Sequence, residues 1–248
     1  MSKPNGVILY QGPSLLDGAP IVAIAIGLNS KSTNRKTGAM VQTYILRSDV
    51  EPTTAIKQGL DASICGDCPL RGDGTGKERR CYVNVGQGPL GVYRAFKRGR
   101  YPSGYAEVNR MFVRLGTYGD PAAVPAHVWQ TLLAGAAGHT GYTHQWRTAP
   151  QLRTLCMASV DSLDEAAEAR ALGWRTFRVG MELGYATRGA ESLCPASAEA
   201  GKKLKCEQCL ACGGADGRKG SIYIPAHGGF AVMANVRKLS QIPVRIEA

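Results

Sequence analysis

LRTLCMASVDSLDEAAEARALGWRTFRVG, residues 152–180, reads as a strand, a helix and a second strand. The run ending MASVD is apolar and bounded by an aspartate. SLDEAAEARALG (162–173) is a helix pattern: Ser162 is placed to cap its start, Glu165 follows three residues on, and Gly173 stands just past its end. WRTFRVG (174–180) is the next strand. Two strands joined through a helix pair in parallel, because the chain must cross over before it can return in the same direction. The unit recurs upstream. MFVRLGTYGD (111–120) is a strand, PAAVPAHVWQTLLAGAAG (121–138) a helix with proline near its start and glycine at its end, and GYTHQW (141–146) a short strand. GSIYIPAHG (220–228) adds a further strand.

The first forty-odd residues are different. VILY (7–10), IVAIAI (21–26) and MVQTYILR (40–47) are strands, and the polar, glycine-bounded GLNSKSTNRKTG (27–38) is a loop. The predicted fold is α/β: a partial or decorated (β/α) barrel with parallel strands, a strand-rich N-terminal entry and cysteine-rich loops. A complete eight-fold barrel needs more repeats than are present. No GxGxxG follows a strand, so an open dinucleotide-binding sheet has no support. The expected organisation is a single domain over 1–248, which includes a cysteine-containing loop at 59–91 and a C-terminal cysteine segment at 192–220.

With 44% hydrophobic residues the 248-residue chain has enough apolar material for a core. No run of 18 apolar residues is present, so no membrane partner is expected. The N-terminus lacks the layout of a signal peptide, which predicts a cytoplasmic protein with reduced thiols. The formal net charge is +11, which favours an anionic partner, nucleic acid above all. In YRAFKRGRYPSGY (93–105) aromatic residues alternate with Arg94, Lys97, Arg98 and Arg100, a mixture suited to base stacking with phosphate contact and equally to the end of an amphipathic helix.

Eight cysteines in a reducing compartment point to metal rather than disulfides. Cys206, Cys209 and Cys212 stand at three-residue intervals in CEQCLACGG, and Cys194 precedes them in LCPAS. Zinc usually takes two paired CxxC knuckles, whereas four-iron clusters often take CxxCxxC and one remote cysteine followed by proline. The layout favours an iron–sulfur cluster of the four-iron, four-sulfur (4Fe-4S) type, with zinc as the alternative. Cys65, Cys68 and Cys81 form a second set, CxxC plus a third member. Three thiolates leave one position for substrate, water, His144 or His227, so one or two centres are expected. Cys156 falls on the opposite face of its strand from Ser159 and Asp161, and reads as a small buried hydrophobe.

Functional groups in parallel α/β folds collect at the carboxyl ends of strands. Those ends carry Arg114, Tyr118, Asp120, Thr143, His144, Gln145, Trp146, Ser159, Asp161, Arg178 and His227. Asp120, His144 and Asp161 are the candidate catalytic groups, with His144 the acid–base group near neutral pH. Arg114, Tyr118, Ser159 and His227 are the candidate binding groups for a small-molecule ligand. Aspartates before a helix also serve as caps, so Asp120 and Asp161 carry that second reading.

The three-cysteine loop ending CY, the strand ending GD, the strand ending in a serine–aspartate pair, and CP followed by CxxCxxC together resemble a group of bacteriophage-encoded proteins. These in turn look like reduced relatives of radical S-adenosylmethionine enzymes, whose fold is of TIM-barrel type. The resemblance runs from about residue 60 to 228. It implies that Cys65, Cys68 and Cys81 occupy the place of the cluster-binding loop, and that Cys194, Cys206, Cys209 and Cys212 form an auxiliary cluster. The loop here is C-x2-C-x12-C where the family has CxxxCxxC, which leaves S-adenosylmethionine a doubtful cofactor. The expected function is an iron–sulfur protein of redox or radical type, with a non-catalytic, zinc-stabilised nucleic-acid-binding protein as the alternative.

Overall fold

The computed structural model describes residues 4–30, 34, 36–180, 190–201, 204–215 and 219–226. It is a mixed α/β structure with two mostly parallel five-stranded sheets. In the first, β1 (Gly6–Pro13), β2 (Pro20–Ile26) and β3 (Val41–Arg47) run antiparallel. The short β1–β2 connection is closed by the Ser14 amide on the Ala19 carbonyl at 2.7 Å, and so short a link permits only antiparallel pairing. β3 then pairs in parallel with β4 (Phe112–Tyr118), and β4 with β5 (Gly138–Thr140). The second sheet is parallel throughout, in the order β6 (Tyr142–Thr143), β7 (Met157–Val160), β8 (Thr176–Gly180), β10 (Ser221–Pro225), β9 (Glu191–Leu193). Among the described residues the outer strands β1 and β9 do not pair with one another, so no closed barrel forms.

The stretch 152–180 folds as its pattern predicts. β7 leads into α5 (Leu163–Ala171), where the Ser162 hydroxyl accepts from the Glu165 amide at 3.1 Å, and Gly173 takes φ +79° beyond the end. Ala166 and Ala169 of α5 are fully buried against the core. The strand is shorter than the apolar run, because Pro150–Leu152 forms a 3-10 turn and the Cys156 amide turns back to the Leu152 carbonyl at 2.8 Å.

The remaining helices are α1 (Pro52–Lys57), α2 (Ala62–Cys65), α3 (Gly88–Lys97), α4 (Ala126–Leu133) and α6 (Cys206–Cys209). The glycine-rich span 59–91 is therefore mostly loop, but it carries α2 and the first turn of α3. A one-turn helix among glycines leaves no periodic signal in the sequence. The long helix predicted over 121–138 is a 3-10 turn at Pro121–Ala123, then α4, then β5.

One residue, Gly141, separates the two sheets. Before it, Thr140 is in register with Arg114 of β4; after it, Tyr142 is in register with Met157 of β7. The Gly141 amide donates to the Cys212 carbonyl and its carbonyl accepts from the Met157 amide, both at 3.0 Å. Alternate residues of the strands share a face. Gln42, Tyr44, Arg114, Tyr118, Thr140, Tyr142, Ser159, Phe177 and Val179 all face one cavity. The intervening Ile45, Val113, Leu115, Ala158 and Val160 enter the main core with Trp129 and Leu132 of α4. A smaller cluster of Met157, Cys194, Cys212, Ile222 and Ile224 anchors the C-terminal cysteine segment.

A Cβ on Gly141 would lie 2.9 Å from the Cys156 sulfur and 3.0 Å from the Leu155 carbonyl oxygen. Gly141→Ala therefore overpacks the junction. The expected loss is about 1–3 kcal/mol, read as a lower urea midpoint at unchanged slope.

Candidate metal and ligand site

Both cysteine sets line the same cavity, of about 410 Å³. Cys65, Cys68 and Cys81 come from the 59–91 loop; Cys194, Cys206, Cys209 and Cys212 come from the C-terminal segment. All are free thiols. Cys156 is apart from them, fully buried in the main core, as its position on the opposite strand face implies.

The N-terminal set is assembled by backbone bonds. α2 ends at Cys65, Gly66 turns the chain at φ +60°, and the Cys68 amide reaches the Cys65 carbonyl at 3.3 Å. A Cβ on Gly66 would collide with the Gln145 amide, so only glycine fits there. The twelve-residue gap to Cys81 closes because the Arg80 and Cys81 amides both donate to the Leu70 carbonyl at 2.9 Å. Arg71 fastens the base of the loop: it donates to the Gly66 carbonyl at 2.9 Å, the Gly59 carbonyl at 3.0 Å and the buried Asp61 carboxylate at 2.8 Å. The Gln145 amide bonds the Asp67 carboxylate at 2.6 Å and ties the loop to the strand region after β6.

The C-terminal set uses three separate attachments. The Cys194 amide donates to the Tyr223 carbonyl of β10 at 2.7 Å. The Cys206 amide donates to the Lys36 carbonyl at 2.8 Å, and the Glu207 carboxylate accepts from the Ala39 amide at 2.6 Å. After α6, Leu210 adopts a left-handed φ of 47°, which swings Cys212 back toward Gly141. The Arg175 guanidinium holds the closing loop by donating to the carbonyls of Ala211 at 2.7 Å, Gly214 at 2.7 Å and Gly220 at 2.6 Å. Burial pushes the thiols of Cys65, Cys81, Cys194 and Cys206 up, and that of Cys212 up to about 12. Free of metal, these groups are neutral thiols; a bound soft cation would displace their protons.

The polar residues at the strand ends converge on the N-terminal set. Asp120 is buried, and its carboxylate accepts from the Ala122 amide at 2.9 Å, the Thr143 hydroxyl at 2.7 Å and the His144 amide at 2.8 Å. Burial pushes its pKa up, and these bonds only partly oppose that. It is both the predicted cap of the following turn and a cavity-lining group. The His144 ring lies 4.0 Å from the Cys68 sulfur and 3.3 Å from Asp161. Burial alone would push His144 down, but Cys68 and Asp161 outweigh it and hold the imidazole well above its usual value. Asp161 does not line the cavity; it reaches the site through His144. Ser159, Tyr118 and Arg114 line the cavity, and burial raises the Tyr118 hydroxyl well above its usual value. Arg114 is buried, donates to the Tyr82 hydroxyl at 3.0 Å and sits 5.9 Å from the Tyr142 ring centre.

Other strand-end residues have structural tasks. Thr143 is bound to Asp120, and Trp146 is in the main core under the Arg147 guanidinium. Arg178 forms a buried ion pair with Glu191 at 2.7 Å that joins β8 to β9. His227 lies outside the described residues. In the basic aromatic stretch, Tyr93 is buried in the core and Phe96 and Tyr101 are half-buried, while Arg94, Lys97, Arg98 and Arg100 are exposed.

Sequence reasoning missed Thr140, Tyr142, Arg71 and Arg175. Thr140 and Tyr142 flank Gly141 at alternating positions, a signal that the period of a strand carries; the two arginines act on loop carbonyls and leave no motif. Among the described residues no three His, Cys, Asp or Glu side chains converge closely enough to hold one metal ion. The seven thiols have the donor chemistry of a soft-metal centre and share one cavity, but their side chains stand too far apart to hold one ion as placed. Comparison with family models, with curated proteins and with solved structures finds no match for the chain.

Asp120→Asn keeps the shape of the side chain but gives it an amide that cannot accept from all three donors. The expected cost is about 1–3 kcal/mol of unfolding free energy, measured by urea denaturation.

Proposed function

We propose that this chain is an iron–sulfur cluster-binding protein on a partial (β/α) barrel, of phage or mobile-element origin, with redox or radical-type chemistry at its cavity. The observation that carries the reading is that cysteine sets more than a hundred residues apart line one cavity beside Asp120 and His144. Parallel strands β3 to β8, with one face toward that cavity, support the partial barrel. Cys194, Cys206, Cys209 and Cys212 would hold a saturated centre. Cys65, Cys68 and Cys81 would hold a centre with one position open toward His144 and a ligand. Such centres supply electron transfer, and an open position supplies ligand binding.

The protein's own groups have assigned roles in this proposal. Asp120 sets the position of His144 through its backbone amide, and Asp161 orients the imidazole from the side. His144 is the proton-exchanging group beside the open position. S-adenosylmethionine is not part of the proposal, because C-x2-C-x12-C does not follow the CxxxCxxC loop.

Protein purified without exposure to air should be brown and contain several irons and acid-labile sulfides per chain. Cys209→Ala should lower the iron content by one cluster while leaving the other. Colourless protein that carries only zinc would overturn the iron assignment.

The exposed cations Arg94, Lys97, Arg98 and Arg100 favour a second reading, a zinc-stabilised nucleic-acid-binding protein. Under it, the chain binds an oligonucleotide at low salt, and affinity falls steeply as salt rises. Absence of binding at low salt removes this reading.

A further inference from the structure

We infer that the cavity holds a metabolite-sized organic oxyanion, a carboxylate or a phosphate ester, anchored on Arg114 and Thr140. The inference rests on the proposed reading of the cavity as a ligand site, and it does not depend on which metal the cysteines bind.

Arg114 is 8% exposed, and its guanidinium stays charged at any physiological pH. A buried cation is costly unless it is paired. Yet among the described residues no carboxylate forms an ion pair with it. Its Nη2 donates to a tyrosine hydroxyl, and its Nε has no partner among the described residues. Next to it across the ladder stands Thr140, 2% exposed, in register with Arg114 on β5. The Thr140 Oγ1 also has no partner among the described residues. Tyr118, 2% exposed and four residues along β4, has a third orphaned atom, its Oη. All three side chains line the cavity.

Native proteins satisfy nearly all buried polar groups; three of the eight unpartnered buried atoms among the described residues belong to side chains that line this one cavity, and a bound polar group would satisfy them. Two of the three are adjacent donors, and one of these is cationic. An oxyanion suits a buried guanidinium beside a hydroxyl, and both side chains line the cavity. Tyr118 is in register with Tyr44, two residues past the Gln42 that pairs with Arg114, and so lies roughly 7 Å further along the ladder. Just past Tyr118 the Asp120 amide donates to the carbonyl of Ile64, next to Cys65, whereas beside Thr140 the Gly141 amide donates to the Cys212 carbonyl. The ligand would therefore bridge the cavity, with its anionic end toward the C-terminal cysteines and an uncharged polar end toward the N-terminal set. The cavity of about 410 Å³ is shared with any centre that its cysteines hold, which limits the ligand to a small molecule. Phe177 and Val179 provide an apolar wall for the body of such a molecule.

Thr140→Val removes a hydroxyl and keeps the shape; Arg114→Gln removes the charge. Full-length protein purified without air is first assayed for iron and zinc. It is then titrated with sodium phosphate and, separately, sodium acetate against sodium chloride at constant ionic strength, with thermal stability as the readout. The expected result is saturable stabilisation of the wild type by one or both oxyanions. Arg114→Gln should weaken that binding at least about tenfold, and Thr140→Val severalfold, with metal content unchanged in both. Response to phosphate alone assigns a phosphate ester, and response to acetate alone a carboxylate. Absence of saturable binding overturns the inference, as does wild-type binding by both variants. Loss of metal from Arg114→Gln with oxyanion binding intact also overturns it, by making Arg114 the counter-ion of the thiolates. Zinc in place of iron would refute the proposed cluster and leave the oxyanion result standing.

Discussion

The Asp120 carboxylate accepts hydrogen bonds from Ala122, Thr143 and His144, and the Asp120 amide donates to the Ile64 carbonyl at 2.6 Å. One residue thus joins the end of β4, the end of β6 and the helix that leads into Cys65. A carboxylate this deeply buried persists only when its oxygens are saturated. The saturation fixes the backbone of His144, and with it the distance from the imidazole to Cys68. The relation between the N-terminal cysteines and the nearby titratable groups depends on this one side chain.

The two cysteine loops share a second device. Loops rich in glycine have no ladder to take up their carbonyls, and buried carbonyls need partners. Arg71 collects two carbonyls and a carboxylate under the first loop, and Arg175 collects three carbonyls under the second. The planar guanidinium, with five donors in a fixed fork, suits this work better than a lysine ammonium. Each loop is held from beneath, which leaves its thiols facing the cavity. Arg114 differs from both: it lines the cavity, its Nη2 donates to the Tyr82 hydroxyl, and among the described residues nothing takes its Nε.

Much of this was legible in the chain. The helix at 162–173, its cap and its terminal glycine follow from local chemistry alone, as does parallel pairing of the strands on either side. Cysteine spacing marked seven of the eight thiols as two sets, and strand alternation set Cys156 aside. Strand-end reasoning selected Asp120, His144, Ser159, Arg114 and Tyr118, all of which line the cavity. It could not separate them from Arg178, which stands at an equally suitable position but is consumed by Glu191, a residue in a three-residue strand with no periodic signal.

The sequence by itself determined the element types, the parallel crossovers and the presence of two thiol sets, because each depends on residues within a few positions of one another. Only the tertiary structure decided that the two sets face one cavity. That outcome depends on Gly141, where a Cβ would press on Cys156 and the Leu155 carbonyl, and on the Cys212 carbonyl that accepts its amide. Such contacts join residues tens of positions apart, and no local pattern encodes them. The orphaned donors of Arg114 and Thr140 are of the same kind: a lack of partners exists only once every neighbour is in place.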